Sequence, residues 1–192
     1  MRFRPMAETQ LSTRDRLTMA AARLFQEAGY SGTSVADVLA LAQAPKGSLY
    51  HHFPNGKADL ASAAAAMASQ VMLDITAAAY GPADDFAHGT QRLAEKFARL
   101  FERHPHWRAC PVQTLLLDGP LATETAPLLQ AWIDTTAAQA TRLGHPKPDL
   151  AATRVWITLI GCWTLARARD DAQPLRDLPD LLLEGDNSGR SS

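Results

Sequence analysis

Cysteine is nearly absent from this chain: its 192 residues include two, Cys110 and Cys162, whose separation fits neither a metal site nor a redox pair. That excludes a disulfide-built scaffold and leaves reduced thiols as the expected state. Strand-forming residues are sparse, and no alternation of period two survives along the chain, which removes β architectures. No run of about 18 apolar residues offers a membrane span, and Met1 to Gln10 lacks the apolar heart of a signal peptide. A cytoplasmic protein is the expectation. An excess of positive charge is also missing. The net charge is −1, whereas a nucleic-acid binder is ordinarily basic. Residues 1–60 hold seven Lys/Arg against five Asp/Glu, so any contact with DNA must rest on local arrangement and not on bulk charge.

What is present is helix. Alanine and leucine dominate, and hydrophobic residues make up 46% of the sequence, enough for one sizeable core or two small ones. Residues 1–11 read as a loose arm. Ser12 and Asp15 have capping spacing, after which Leu17, Ala20, Ala21, Leu24, Phe25 and Ala28 recur at three- and four-residue intervals until Gly29. Tyr30-Ser31-Gly32 is a turn, and Thr33 or Ser34 caps a second short helix with Val35, Val38, Leu39 and Ala42 inside. Gln43-Ala44 makes a very short connection to Pro45, which suits the first position of a third helix. Two short helices so joined read as helix-turn-helix.

Further helices are predicted from Lys57 to about Tyr80, with Leu60, Ala64, Met67, Val71 and Ile75 as stripe, and from about Ala83 to His104. A region punctuated by Pro105, Pro111 and Pro120 follows. Two longer helices run from about Thr123 to Leu143 and from Leu150 to Arg169. Residues after Glu184 read as a frayed tail.

The densest chemical signal is Pro45-Lys46-Gly47-Ser48-Leu49-Tyr50-His51-His52-Phe53, followed by Lys57. A helix start, a glycine and several polar or cationic tips surround two core anchors, Leu49 and Phe53. Lys57 stands at a positive helix end, where a cation is costly unless a phosphate lies nearby. Enzymatic readings fail here. Cys110 with His104 or His106 lacks an orienting acid and an oxyanion hole. His51 and His52 diverge by about 100° on a helix and do not share an ion. The Pro45-Lys46-Gly47-Ser48 order is not that of a phosphate-binding loop. No catalytic residue, metal or cofactor is expected.

Residues 10–60 resemble the DNA-binding domain of TetR/AcrR-type transcriptional repressors. The resemblance lies in Ala21-Ala22-Arg23-Leu24-Phe25, Gly29-Tyr30, Thr33-Ser34-Val35-Ala36-Asp37-Val38 and Gly47-Ser48-Leu49-Tyr50-His51-His52-Phe53 with Lys57. Pro45-Lys46 and Pro54 with Gly56-Lys57 look like its LmrA/YxaF-like branch. Ala109-Cys110-Pro111-Val112 and Gly161 followed by Leu165-Ala166-Arg167-Ala168 are compatible with it. One departure stands out: Gln43 occupies a turn position that is usually glycine, which is strained if φ is positive there.

The resemblance implies an all-α fold with an N-terminal three-helix helix-turn-helix domain (10–56) and a C-terminal helical ligand and dimerisation domain (57–185). It implies a third helix in the major groove, with Gly47 allowing close approach and Lys46 and Ser48 reaching bases or phosphates. Tyr50, His51, His52 and Lys57 fall to phosphate oxygens, as do the hydroxyl and backbone N–H of Thr33. A pocket for a small apolar or aromatic inducer is implied in the C-terminal part, with Trp107, Cys110, Gln113, Trp132, Thr136 and Trp163 as candidate lining. The last two long helices are implied to form a homodimer, with Trp156, Ile160 and Trp163 as the candidate stripe. Operator DNA, inducer and a second copy are thus the expected partners, with no membrane. Ligand-released repression, activation on the same fold, and a helical adaptor that does not bind DNA remain the alternatives at this point.

Overall fold

The computed structural model describes residues 11–107, 110–118 and 122–183. The loose arm before Leu11, Ala109, Pro120 and the tail after Glu184 lie outside the described residues. Among them run ten α-helices: α1 (Thr13–Ala28), α2 (Val35–Ala42), α3 (Lys46–His52), α4 (Lys57–Tyr80), α5 (Phe86–Arg103), α6 (Pro111–Asp118), α7 (Ala122–Arg142), α8 (Pro148–Arg169), α9 (Gln173–Arg176) and α10 (Leu178–Leu183). No strand occurs among the described residues.

The helix starts follow from side chains that replace missing helical partners. The Ser12 hydroxyl accepts from the Asp15 N–H at 3.1 Å. Ser34 and Asp37 form a full reciprocal box: the Asp37 N–H donates to Ser34 Oγ and the Ser34 N–H to Asp37 Oδ2, both at 3.1 Å. The Ser34 hydroxyl and N–H hold the Asp37 carboxyl below its ordinary range. Gly29 ends α1 at φ 79°. Pro45 is the residue before α3 and not its first helical residue.

Between α2 and α3, Gln43 adopts φ 50° and ψ 46°. The Ala44 N–H donates to Leu39 O at 3.1 Å and the Gln43 N–H to Ala40 O at 3.2 Å, a Schellman closure with glutamine where glycine is usual. Its side chain is exposed and contributes no packing. Gln43→Gly is therefore expected to raise stability by about 0.5–1 kcal/mol, the handedness penalty removed less the added freedom of the unfolded chain. Urea unfolding of both proteins checks the sign.

α1 lies across α2, α3 and α4 and also touches α6; α4 packs on α5, α6 and α7; α7 and α8 lie side by side. Leu17, Ala21 and Phe25 of α1, Val38 of α2 and Leu49 of α3 are fully or almost fully buried in one cluster with Leu60 of α4. Ala22 joins that burial, while Ala28 is exposed. On α4 the buried row runs through Leu60, Ala64, Ala68 and Met72, leaving Val71 exposed, contrary to the stripe read from the sequence. An alanine-rich face has little bulk to mark it, so periodicity favoured the larger side chains.

α4 also carries an 18-residue window of mean hydropathy 1.3, long and apolar enough for a span by length and composition alone. It is a core helix packed by four neighbours. α9 and α10, too short for a periodic signature, close the end of the body against α5 and α8.

Candidate nucleic-acid interface and cavity

α3 is anchored through Leu49 and, just past its end, Phe53. Lys46, Gly47, Tyr50 and His51 are exposed, and Ser48 and His52 half-buried. Tyr50 is 49% exposed, one of the few large side chains of α1 to α3 left open to solvent, with Met19 and Leu41. Gly47 lies in ordinary helix, and a Cβ there would meet nothing within 4 Å. Among the described residues nothing stands where a side chain at 47 would point, so this side of α3 is open to a close approach. The His51 and His52 rings meet edge-on at 4.9 Å, closer than their helical divergence suggested.

Lys57 is half-buried, its ammonium 4.2 Å from the centre of the Tyr30 ring. Tyr30 in turn lies 5.7 Å from Phe25. The cation at the start of α4 is thus steadied by an aromatic face.

Thr33 is corrected. It is buried, its hydroxyl donates to Gly29 O at 2.8 Å, and its backbone N–H donates to Tyr30 O at 3.2 Å. Phosphate oxygens only accept, and both donors of Thr33 are already committed. Two residues missed in the sequence also hold the mount. Arg16 Nε donates to Ala42 O at 3.2 Å, closing the end of α2 from α1. The Arg14 guanidinium lies 5.5 Å from the Phe53 ring centre. Neither contact leaves a local sequence signal, because the partners are more than two dozen residues away.

The body encloses a cavity of about 630 Å³. Of the six lining candidates, Trp107, Cys110, Gln113, Trp132 and Trp163 line it. Thr136 does not: it is fully buried, its hydroxyl donating to Trp132 O at 2.9 Å and accepting from Trp156 Nε1 at 2.9 Å. The Trp132 Nε1–H donates to Ser69 Oγ at 2.9 Å. With both indole donors engaged by protein, these rings offer faces and not hydrogen bonds.

The stripe Trp156, Ile160 and Trp163 is also corrected. All three line the cavity, so they point inward and not to a partner. The side of α8 left to solvent carries Ile157, 66% exposed, together with Gly161 and Leu165.

Arg167 holds the cavity wall. It donates to Phe101 O, His104 O and Pro105 O at 3.3, 2.9 and 2.9 Å, satisfying the carbonyls at the end of α5. Its guanidinium stacks 3.7 Å from the Phe101 ring centre and 5.2 Å from that of Trp163. His104 stacks on Trp107 with ring centres 3.8 Å apart and planes 5° from parallel. Burial, then the charges of Arg103 and Arg167, lower the His104 pKa, keeping its ring neutral at neutral pH. Burial pushes the Cys110 thiol up to about 11, which removes it as a nucleophile.

A short exposed helix held by two others, set on a helical body with a cavity, is the architecture of a helix-turn-helix DNA-binding protein. Residues 17–64 match the pattern of bacterial regulatory proteins, tetR family. The chain is 30% identical over 187 residues to an HTH-type transcriptional regulator of Mycobacterium tuberculosis (strain CDC 1551 / Oshkosh), covering 88% of this chain and 94% of that one. It is 34% identical over 119 residues to the HTH-type transcriptional regulator LmrA of Bacillus subtilis (strain 168), 62% of each chain. Its fold is that of the TetR family regulator CifR, solved with a 26-bp operator DNA (TM-score 0.77, 19% identity, 95% of this chain and 98% of that one). The chain belongs to the TetR family of transcriptional regulators, DNA-binding proteins that are not enzymes.

Proposed function

We propose that this protein is a homodimeric repressor, released from its operator by a small apolar or aromatic inducer, and acts in the cytoplasm. Residues 10–56 form the DNA-reading domain and residues 57–185 the ligand and dimer domain. The observation that carries the reading is the outward side of α3: Lys46, Ser48, Tyr50 and His51 surround Gly47, where a Cβ would meet nothing within 4 Å among the described residues. Lys46 and Ser48 reach base edges or phosphates, and Tyr50, His51, His52 and Lys57 fix the register on phosphates. A dimer placing two such helices in successive major-groove faces covers promoter DNA and excludes other proteins from it.

The exposed side of α8 supports the pairing. Gly161 stands in mid-helix, where glycine costs about 1 kcal/mol relative to alanine, and a Cβ there would meet nothing within 4 Å among the described residues. Ile157 and Leu165 flank it, so a second copy of α8 fits close against this small-residue notch, with α7 beside it. The cavity, walled by indole faces and thioethers, supports the inducer class. α4, which bridges both domains, carries the change of spacing.

Lys46→Ala is expected to weaken binding to the chain's own promoter region by roughly tenfold to a hundredfold, with helix content unchanged because Lys46 is exposed. Gel shifts at two salt concentrations measure it. Unchanged affinity, or binding of the parent protein that ignores salt, would sink the reading.

A further inference from the structure

α1 has two working faces. Leu17, Ala21 and Phe25 bury into the cluster that holds α2 and α3. Met19, Ala22, Arg23, Gln26 and Glu27 recur at the same helical spacing on another side, and all five line the cavity. Two large apolar side chains stand at that wall without full cover: Met19 is 47% exposed and Val71, across on α4, 42%. In a body whose other cavity-lining side chains include the buried Trp132 and Trp156, such exposure marks where the enclosure is incomplete until something fills it. Arg23 and Glu27 neutralise each other at 2.9 Å, so the stripe presents no net charge. The cavity therefore lies in the seam between the DNA-reading helices and the rest of the body, and not wholly within the latter.

We propose that α1 is itself a wall of the inducer site, a planar aromatic molecule resting against the Met19, Arg23 and Gln26 stripe. This rests on the reading of the cavity as the inducer site. Occupancy then presses directly on the helix that mounts α2 and α3, alongside any movement of α4. A ligand shifts a conformational equilibrium only by its differential affinity for the two states. Contacts that move with the reading head supply that difference, whereas contacts confined to the body's rigid walls do not. Met19 and Gln26 become determinants of both ligand choice and coupling. The indole and Phe97 faces opposite fit flat rings, and the volume fits a molecule of drug size.

The chain carries its own reporters, since all four tryptophans line the cavity. The probe is 8-anilinonaphthalene-1-sulfonate on the full-length protein without DNA, followed by quenching of tryptophan emission. Met19→Cys and Gln26→Cys are alkylated with iodoacetamide with and without probe, the modified residue being read by mass spectrometry. Ala28→Cys, exposed on the opposite side of α1, is the control. With probe at about ten times its Kd, alkylation at the two wall positions is expected to slow by roughly tenfold, and at the control not at all. Quenching without protection, or equal protection at all three positions, overturns the α1 wall and leaves the inducer reading standing. Absence of quenching overturns both.

Discussion

Phe25→Ala is expected to lower stability by about 3–5 kcal/mol and the unfolding midpoint by about 10 °C or more. Phe25 is fully buried, and its ring is the inner member of a stack that continues through Tyr30 to the Lys57 ammonium. Truncation removes the transfer energy of the ring and leaves a void that rigid neighbours fill only in part. The void lies where α1 meets the helices it carries, so operator affinity is expected to fall with stability. Phe25→Leu, which keeps most of the volume, is expected to recover most of both. Urea midpoints and gel shifts on the same preparations give the test. Loss of stability with full operator affinity would show that the mount tolerates disorder beneath α3.

The second large effect is expected at Arg167. Arg167→Met keeps length and apolar bulk but deprives three carbonyls near the end of α5 of their donor, and the Phe101 and Trp163 rings of a cation. Hydrogen bonds from a charged donor are worth more than neutral ones, and partial exposure discounts them, so the loss is expected to be about 2–4 kcal/mol. Arg167→Lys is expected to restore little, because one ammonium does not reproduce a planar fork spanning several acceptors. Thermal unfolding measures the stability. Tryptophan emission is also expected to change, since Trp163 and the segment through Trp107 lose their clamp. Equal stability of the lysine and parent proteins would refute the fork argument.

How much of this was legible in the sequence differed by the range of the interaction involved. The Ser34–Asp37 box, the Gly29 stop and the anchors Leu49 and Phe53 are local rules, and they located α2 and α3 to within a residue. The positive φ of Gln43 was legible only through the resemblance, which usually has glycine there; glutamine itself carries no such signal. The face of α8 was not. Trp156, Ile160 and Trp163 compete with Ile157 and Leu165 along one helix, and only neighbours from α5, α7, α9 and α10 decide which face turns inward. Thr136 was misplaced for a related reason: a hydroxyl beside tryptophans suits a ligand or an indole N–H equally well in one dimension. Arg16 and Arg167 act on carbonyls far along the chain, a kind of contact to which periodicity is blind.

The Cys110 sulfur sits beside the cavity with its pKa near 11. At neutral pH only about one thiol in ten thousand is then ionised, and oxidants react with the ionised form. Cys110 is therefore expected to react slowly with peroxide or electrophiles at neutral pH, which sets it apart from an ionised sensor thiol.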